Sequence, residues 1–294
     1  MIKRYIAILL MIMIISTSGI PVVFANTEYR RNDNYEIEDY APVIGDFQYD
    51  SEYAAKIARK EQKAKEYYRA KMSGNSILAS SILSEIKATY DEVANEPEYS
   101  LVPLYSGKRL AIYQVPQEKD YWCGYAAIKS LLDYENINKS QSVIAEEVYD
   151  RYSSCPWYIS NGNSRDQFPV PNYLTDEIGF YYVPYPYGEA GTTNIEASDI
   201  DWRIVSTIDS DHGLVVCGIS YGNIKGHESI LPGYPARKIG HWLAIDGYKL
   251  DGDEIWIVDP AKSDEVSFSD NISAYYSITS TKLAAYAKSK GIVW

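Results

Sequence analysis

Gln117-Glu-Lys-Asp-Tyr-Trp-Cys123-Gly-Tyr-Ala-Ala127 is the stretch around which the chain is organised. Its first half is polar, and an apolar run opens just after Cys123, with residues 127, 128, 131, 132 and 134 recurring at helical spacing. The change of texture places Cys123 at a helix N-terminus. There the helix dipole and unpaired N–H groups favour the thiolate, the nucleophilic form of the side chain. Gln117, six residues upstream, can bring an amide donor to the point where an oxyanion would develop. Gly124 leaves the backbone beside the sulfur open. A lone cysteine is equally well a small buried hydrophobe, so its partners decide.

A nucleophilic cysteine needs a base and a group that orients the base. The chain offers His212, His227 and His241. His241 opens the strand-like run His241-Trp-Leu-Ala-Ile245, in which period two sets His241, Leu243 and Ile245 on one face and turns Trp242 the other way. His241 is then expected to point at a packed helix. Asp251-Gly252 is a hairpin turn signal, and the run after it, Glu254 to Val258, places Ile255, Ile257 and Asp259 on one face. A hairpin there brings Asp259 near the level of His241, where a carboxylate fixes the imidazole tautomer. Asp259-Pro260 also has the ordinary reading of a turn start, and His241 that of a satisfied core histidine. Asp246 is a rival orienting carboxylate whose parity sets it on the opposite face. His212, between Asp211 and Gly213, reads as a helix-to-strand turn, and His227 lies in a loop beside Glu228.

The rest of the chain frames these residues. Met1 to Ala25 has a basic start, an apolar run from Tyr5 to Ile15 and small residues before Asn26, the pattern of a secretory signal peptide cleaved after Ala25. Asn26 to Asp46 reads as a flexible acidic lead-in. Glu52 to Lys71 is rich in helix formers, and a second helix runs from Ile77 to about Val93, ended by Glu96-Pro97. Residues 26–100 are thus a lead-in plus a helical pair, either a hairpin packed on the main domain or a removable pro-segment. Residues 101–294 form that main domain. Within it Val102 to Leu104 and Leu110 to Val115 read as extended, Gln141 to Tyr152 as a helix capped by Ser140, and Pro156 to Gly191 as a long loop with a short helix at Pro171 to Ile178. Ile200 to Ile208 reads as a helix capped at Ser198-Asp199, Leu214 to Ile219 and Ala274 to Ile278 as strands, and Lys282 to Lys290 as a helix. Helices first and an antiparallel sheet after them make the class α+β.

Composition bounds the partners. The net charge of −12 over 294 residues argues against nucleic acid and anionic membrane. Solubility and a preference for neutral or basic substrates are compatible with it, and no stable membrane insertion is expected once the leader is removed. Three cysteines leave Cys155 and Cys217 either bridged or reduced. No spacing suggests a metal site, and no cofactor is expected. The 29 tyrosines are a high count, and they suit extracellular surfaces and binding grooves.

Val115-Pro-Gln117, Cys123-Gly-Tyr-Ala-Ala127, Gly240-His-Trp-Leu-Ala-Ile-Asp-Gly-Tyr248 and Val258-Asp-Pro260, in that order, resemble the C39-like cysteine peptidase family. These are papain-fold proteins related to the bacteriocin-processing peptidase domains of export transporters. The resemblance runs from about Leu101 to Trp294, and Ile200 to Val216 also looks like the family's helix and strand before the histidine. It implies a papain-like fold, with Cys123 as nucleophile, His241 as base, Asp259 as orienting carboxylate and Gln117 as oxyanion-hole donor. Between Gly218 and Gly240 the loop is longer than the family pattern, and Asn26 to Ser100 has no counterpart in it. The implied activity is that of a secreted bacterial peptidase, extracellular and with the cell wall as a candidate station. Two rivals stand beside it: a transamidase using the same thioester, and a catalytically idle binding or adhesion module built on the tyrosine-rich segments Tyr152 to Tyr187 and Tyr221 to Tyr234. Oligomeric state is left open.

Overall fold

The computed structural model describes residue 41 and residues 43–90, 107–159, 167–188, 193–220 and 229–294. The signal peptide, most of the acidic lead-in, the Glu96-Pro97 stop, Val102 to Leu104 and His227 lie outside the described residues. The sheet is built from β-branched and aromatic runs. Its strands are β2 (Gly107–Arg109), β4 (Pro184–Tyr185), β5 (Leu214–Ile219), β6 (Gly240–Lys249), β7 (Glu254–Val258), β8 (Tyr275–Thr279) and β9 (Gly291–Val293). All pairings are antiparallel in the order β4-β9-β5-β6-β7-β8, and β2 joins the far end of β6. β5 is apolar throughout and nearly all buried, as a central strand covered on both faces must be. A separate parallel pair joins β1 (Val43–Ile44) to β3 (Tyr158–Ile159), so the last residues of the expected lead-in are ordered against the long loop.

Among the described residues, seven α-helices surround the sheet: α1 (Ser51–Met72), α2 (Ser76–Tyr90), α3 (Cys123–Tyr134), α4 (Gln141–Val148), α5 (Pro169–Ile178), α6 (Ala197–Asp209) and α7 (Ser280–Ala287). Asp50 caps α1 by accepting from the N–H groups of Glu52 and Tyr53, and Ser140 caps α4. α6 starts earlier than Ser198-Asp199 would place it, because Glu196 and Asp199 form a reciprocal capping box. Leu110 to Val115, expected as extended, is irregular, with Ala111 in the left-handed region at φ 57°.

The hairpin β6–β7 holds the decisive irregularity. Its register pairs Lys249 with Glu254 and Tyr248 with Ile255, then slips by one residue between Ile245 and Gly247, so that Ile245 faces Ile257 and Ala244 faces Val258. Asp246 is the extra residue of this β-bulge. Side chains alternate strictly along a strand, so a one-residue slip exchanges the faces. Without it Asp259 would share a face with Ala244; with it, Asp259 shares one with Leu243 and His241. The bulge is held from β2: Leu110 N–H donates to the Asp246 carbonyl at 2.7 Å and Arg109 Nε to its carboxylate at 2.9 Å.

Helices cover both faces of β6. Trp242 meets Gly124 of α3 on one side, while Tyr248 on the other reaches Asp209 of α6. The α1–α2 hairpin docks on that second side. Asp209 is buried and accepts from Tyr67 at 2.6 Å, Lys71 at 2.7 Å and Tyr248 at 2.8 Å. Deeper along α1, buried Lys60 donates to the Tyr181 and Trp294 carbonyls, and burial together with the Arg203 charge lowers its pKa well below the ordinary lysine value.

Removing Lys71 strands the buried Asp209 carboxylate without its cation, a loss of about 3–5 kcal/mol; Lys71→Met should show it in urea unfolding. Asp201 carries a pH signature. Burial, with smaller pushes from Asp253 and Asp199 against a Ser280 hydrogen bond, raises its carboxyl to about 7. The unfolded carboxyl titrates near 3.9, roughly, so the native state holds a proton that the unfolded chain has released, and stability falls as pH rises from that value to about 7. Unfolding at pH 5 and pH 8 should therefore differ less in Asp201→Asn than in the wild type; an unchanged difference would remove Asp201 from the account.

Candidate active site

Cys123 is the first residue of α3, and its N-cap, Trp122, supplies no side-chain cap bond. As at every α-helix start, the first backbone N–H groups have no intrahelical acceptor, and Cys123 stands at that end of α3. Gly124 is required there for a reason beyond an open backbone. A Cβ at this position would stand 2.4 Å from Cys155 Cβ and 2.9 Å from Trp242 Cδ1. The helix end is therefore pressed against the Cys155 loop and β6. Trp242, expected to face away from the helix that begins at Cys123, meets it, and His241, expected to point at that helix, lies on the opposite face of the strand; the sequence reading is corrected on both points.

His241 lies on the other face of β6, beside the start of the strand, where it pairs with Gly218. Its Nε2 is bonded to Asp259 Oδ1 at 2.9 Å, and both side chains are buried. A carboxylate can only accept, so in this contact the Nε2–H group is the donor. Nδ1 is the ring nitrogen that such a contact leaves as an acceptor. Asp246 is not in this pair; it is bound by Arg109, and burial, opposed by that arginine, raises its pKa. Asp259 also accepts from Tyr234 at 3.0 Å and 3.1 Å, from Tyr276 at 2.8 Å and from the Ala261 N–H at 2.9 Å. Behind the histidine, Tyr286 of α7 donates to the His241 carbonyl. Burial first, and then the charges of Cys217, Cys123 and Asp259, raise the Tyr286 pKa well above the usual value.

The Gln117 loop is fastened to the Asp259 loop. Gln117 N–H donates to Pro260 O at 3.0 Å, Ser263 Oγ to Gln117 O at 2.6 Å, and Gln114 Nε2 to the carbonyls of Asp259 and Lys262, both at 3.1 Å. Buried Gln141 of α4 braces it from the other side through Pro116 O and Glu118 N–H. The Gln117 side chain is buried, but its Nε2 donates to Lys119 O and Asp120 O, both at 2.8 Å, and its Oε1 has no hydrogen-bond partner among the described residues. The amide thus lies inside its own loop, just short of Trp122 and Cys123.

His212 stands apart, bonded to Glu135 at 2.9 Å and stacked on Phe180. None of the three cysteines forms a disulfide; burial raises the pKa of both Cys155 and Cys217. Tyr234, Tyr276, Tyr286 and Ser263 escape a reading of the sequence alone. Tyr276 has a signal: it pairs with Ile257, so period two puts it on the face of Asp259. Tyr234, in an irregular Gly-Tyr-Pro segment, has none.

No helix among the described residues is long and apolar enough to cross a membrane. The Peptidase_C39 like family matches residues 109–284, more than half of the chain, and the match spans Gln117, Cys123, His241 and Asp259. Comparison with curated proteins finds no match. With its antiparallel sheet flanked by helices and its matched stretch reaching from β2 into α7, the chain belongs to the Peptidase_C39 like family.

Proposed function

We propose that the chain is a cysteine peptidase in which Cys123, His241 and Asp259 are the catalytic triad. The observation that supports this reading is the buried His241–Asp259 bond, in which Nε2–H donates to the carboxylate and Nδ1 is left for the thiol proton. His241 takes that proton, and the Cys123 sulfur adds to a peptide carbonyl. The oxyanion so formed is stabilised by the Cys123 backbone N–H at the uncapped helix start. Imidazolium returns the proton to the departing amine as the C–N bond breaks. Water, deprotonated by the same histidine, then resolves the thioester to acid and free thiol. Gln117 joins the oxyanion hole by turning one amide hydrogen from the Lys119 and Asp120 carbonyls, which hold it in the free chain, toward the substrate oxygen.

The α1–α2 hairpin is read as a resident part of the enzyme and not as a pro-segment to be removed. Its buried Lys71–Asp209 pair supports this, since stripping the hairpin would expose an unpaired carboxylate behind β6. The leader-like Met1 to Ala25 supports export from a bacterial cell, with peptides or proteins outside it as substrate.

Cys123→Ala should abolish cleavage of a denatured-protein panel, scored as new termini by mass spectrometry, while the melting curve stays cooperative. Full activity in that variant would end the proposal. Gln117→Ala should lower the rate by about 10²–10³-fold if it donates to the oxyanion, and by far less if it only holds its loop. The exported protein should begin at Asn26 and retain Ser51 to Tyr90; an active form that begins beyond Tyr90 would make the hairpin a propeptide.

A further inference from the structure

The Asp259 carboxylate is enclosed. It has no exposed surface, and its acceptor sites are filled from four directions. Oδ1 takes His241 Nε2, the Ala261 N–H and the longer of the two Tyr234 contacts; Oδ2 takes Tyr234 at 3.0 Å and Tyr276 at 2.8 Å. Since a carboxylate only accepts, both phenols must donate. Oδ2 therefore depends on the two tyrosines for every hydrogen bond it makes, and a buried anion without donors is costly. Tyr234 touches the base as well as the acid: its ring lies 5.6 Å from the imidazole centroid and 5.3 Å from Phe268. We propose that Tyr234 and Tyr276 are positioning residues, which lock the Asp259 carboxylate in the orientation that accepts from His241 Nε2 and so hold Nδ1 as the basic nitrogen. The assignment rests on the peptidase reading of the site and extends it to two residues outside the triad.

The chemistry of the lock is asymmetric. With both hydroxyls in place, rotating the carboxylate breaks two donor contacts at Oδ2, so the anion is fixed about its Cβ–Cγ bond. With both removed, Oδ2 has no donor in a dry site and the carboxylate turns to share Ala261 N–H and His241 between its oxygens, leaving the imidazole free to exchange its tautomer. Both tyrosines stay protonated and able to donate, because burial first and Asp259 second push each pKa well above the ordinary phenol value. Tyr286, the third buried phenol near Asp259, gives its hydroxyl proton to the His241 carbonyl and cannot substitute.

Tyr→Phe removes one oxygen and leaves the ring, so the variants Tyr234→Phe, Tyr276→Phe and the pair combined are the test. Two readouts are taken on the full chain. The first is the rate of Cys123 alkylation by iodoacetamide at pH 6. The second is the nitrogen-15 signature of His241 in alkaline solution on a Cys123→Ala background, practicable with three histidines in the chain. The combined variant should alkylate at least tenfold more slowly and show a growing Nδ1–H population, with each single variant between it and the wild type. A purely structural role would lower the melting temperature without changing which nitrogen holds the proton. Should the combined variant fail to fold, the single variants make the same comparison. Alkylation within twofold of wild type and a retained Nε2–H signature would overturn the assignment. Slow alkylation in the wild type itself would sink the peptidase reading, and the tautomer would still decide for or against the tyrosines.

Discussion

An ionised carboxylate enclosed in protein survives only where donors replace the water it has lost. Asp259 meets that condition with a strand histidine, a loop amide and two phenols drawn from β6, the turn after β7, β8 and the segment before β6. These elements come from sequence positions 234 to 276 and must all arrive together. The folded site is thereby stiff by construction: moving any one of them leaves a charge unsatisfied, so the histidine cannot wander without a penalty at the aspartate. The loop carrying Gln117 inherits this stiffness through Gln114, Pro260 and Ser263.

The second constraint is topological. His241 opens β6 and Asp259 directly follows the neighbouring strand β7, and their side chains meet only because Asp246 is an inserted residue in β6. Its position is not incidental. β2 pairs Arg109 with Gly247, a residue with no room for a side chain, since a Cβ there would stand 2.5 Å from the Lys108 carbonyl. Arg109 lies over Trp256 and holds the Asp246 carboxylate. Strand β2 therefore sets the bulge, and the bulge sets the face on which the imidazole finds its carboxylate.

Much of this is legible in the sequence. The helix beginning at Cys123, the strand Leu214 to Ile219 and the β6–β7 hairpin follow from period and turn chemistry, which are local. Belonging to the C39-like family is legible too, from the blocks around Gln117, Cys123, His241 and Asp259. Less is visible where tertiary partners decide. A bulge leaves no trace in alternation when the strand is buried on both faces, as β6 is from Gly240 to Tyr248. For the same reason alternation alone turns Trp242 to the wrong side, and Gly291–Val293 is too short to announce β9. Spacing puts Gln117 in the loop before α3, but the direction of its amide depends on the carbonyls of Lys119 and Asp120, which no spacing rule foresees.

The same face of β6 also joins the site to the helical hairpin. His241 stands near one end of the strand and Tyr248 near the other, and the bulge between them brings both to one side. Tyr248 closes on Asp209 and Lys71, so the strand is gripped at its far end by a buried charge pair and at its near end by the Asp259 cluster. Buried carboxylates with their donors are weak sources of net stability, because desolvation offsets most of the attraction. Their contribution is geometric. A strand with a bulge at its middle has a slack register, and two buried carboxylates at opposite ends remove that slack by making a slipped register leave a carboxylate short of donors. The hairpin of α1 and α2 thus fixes the strand on which His241 is carried.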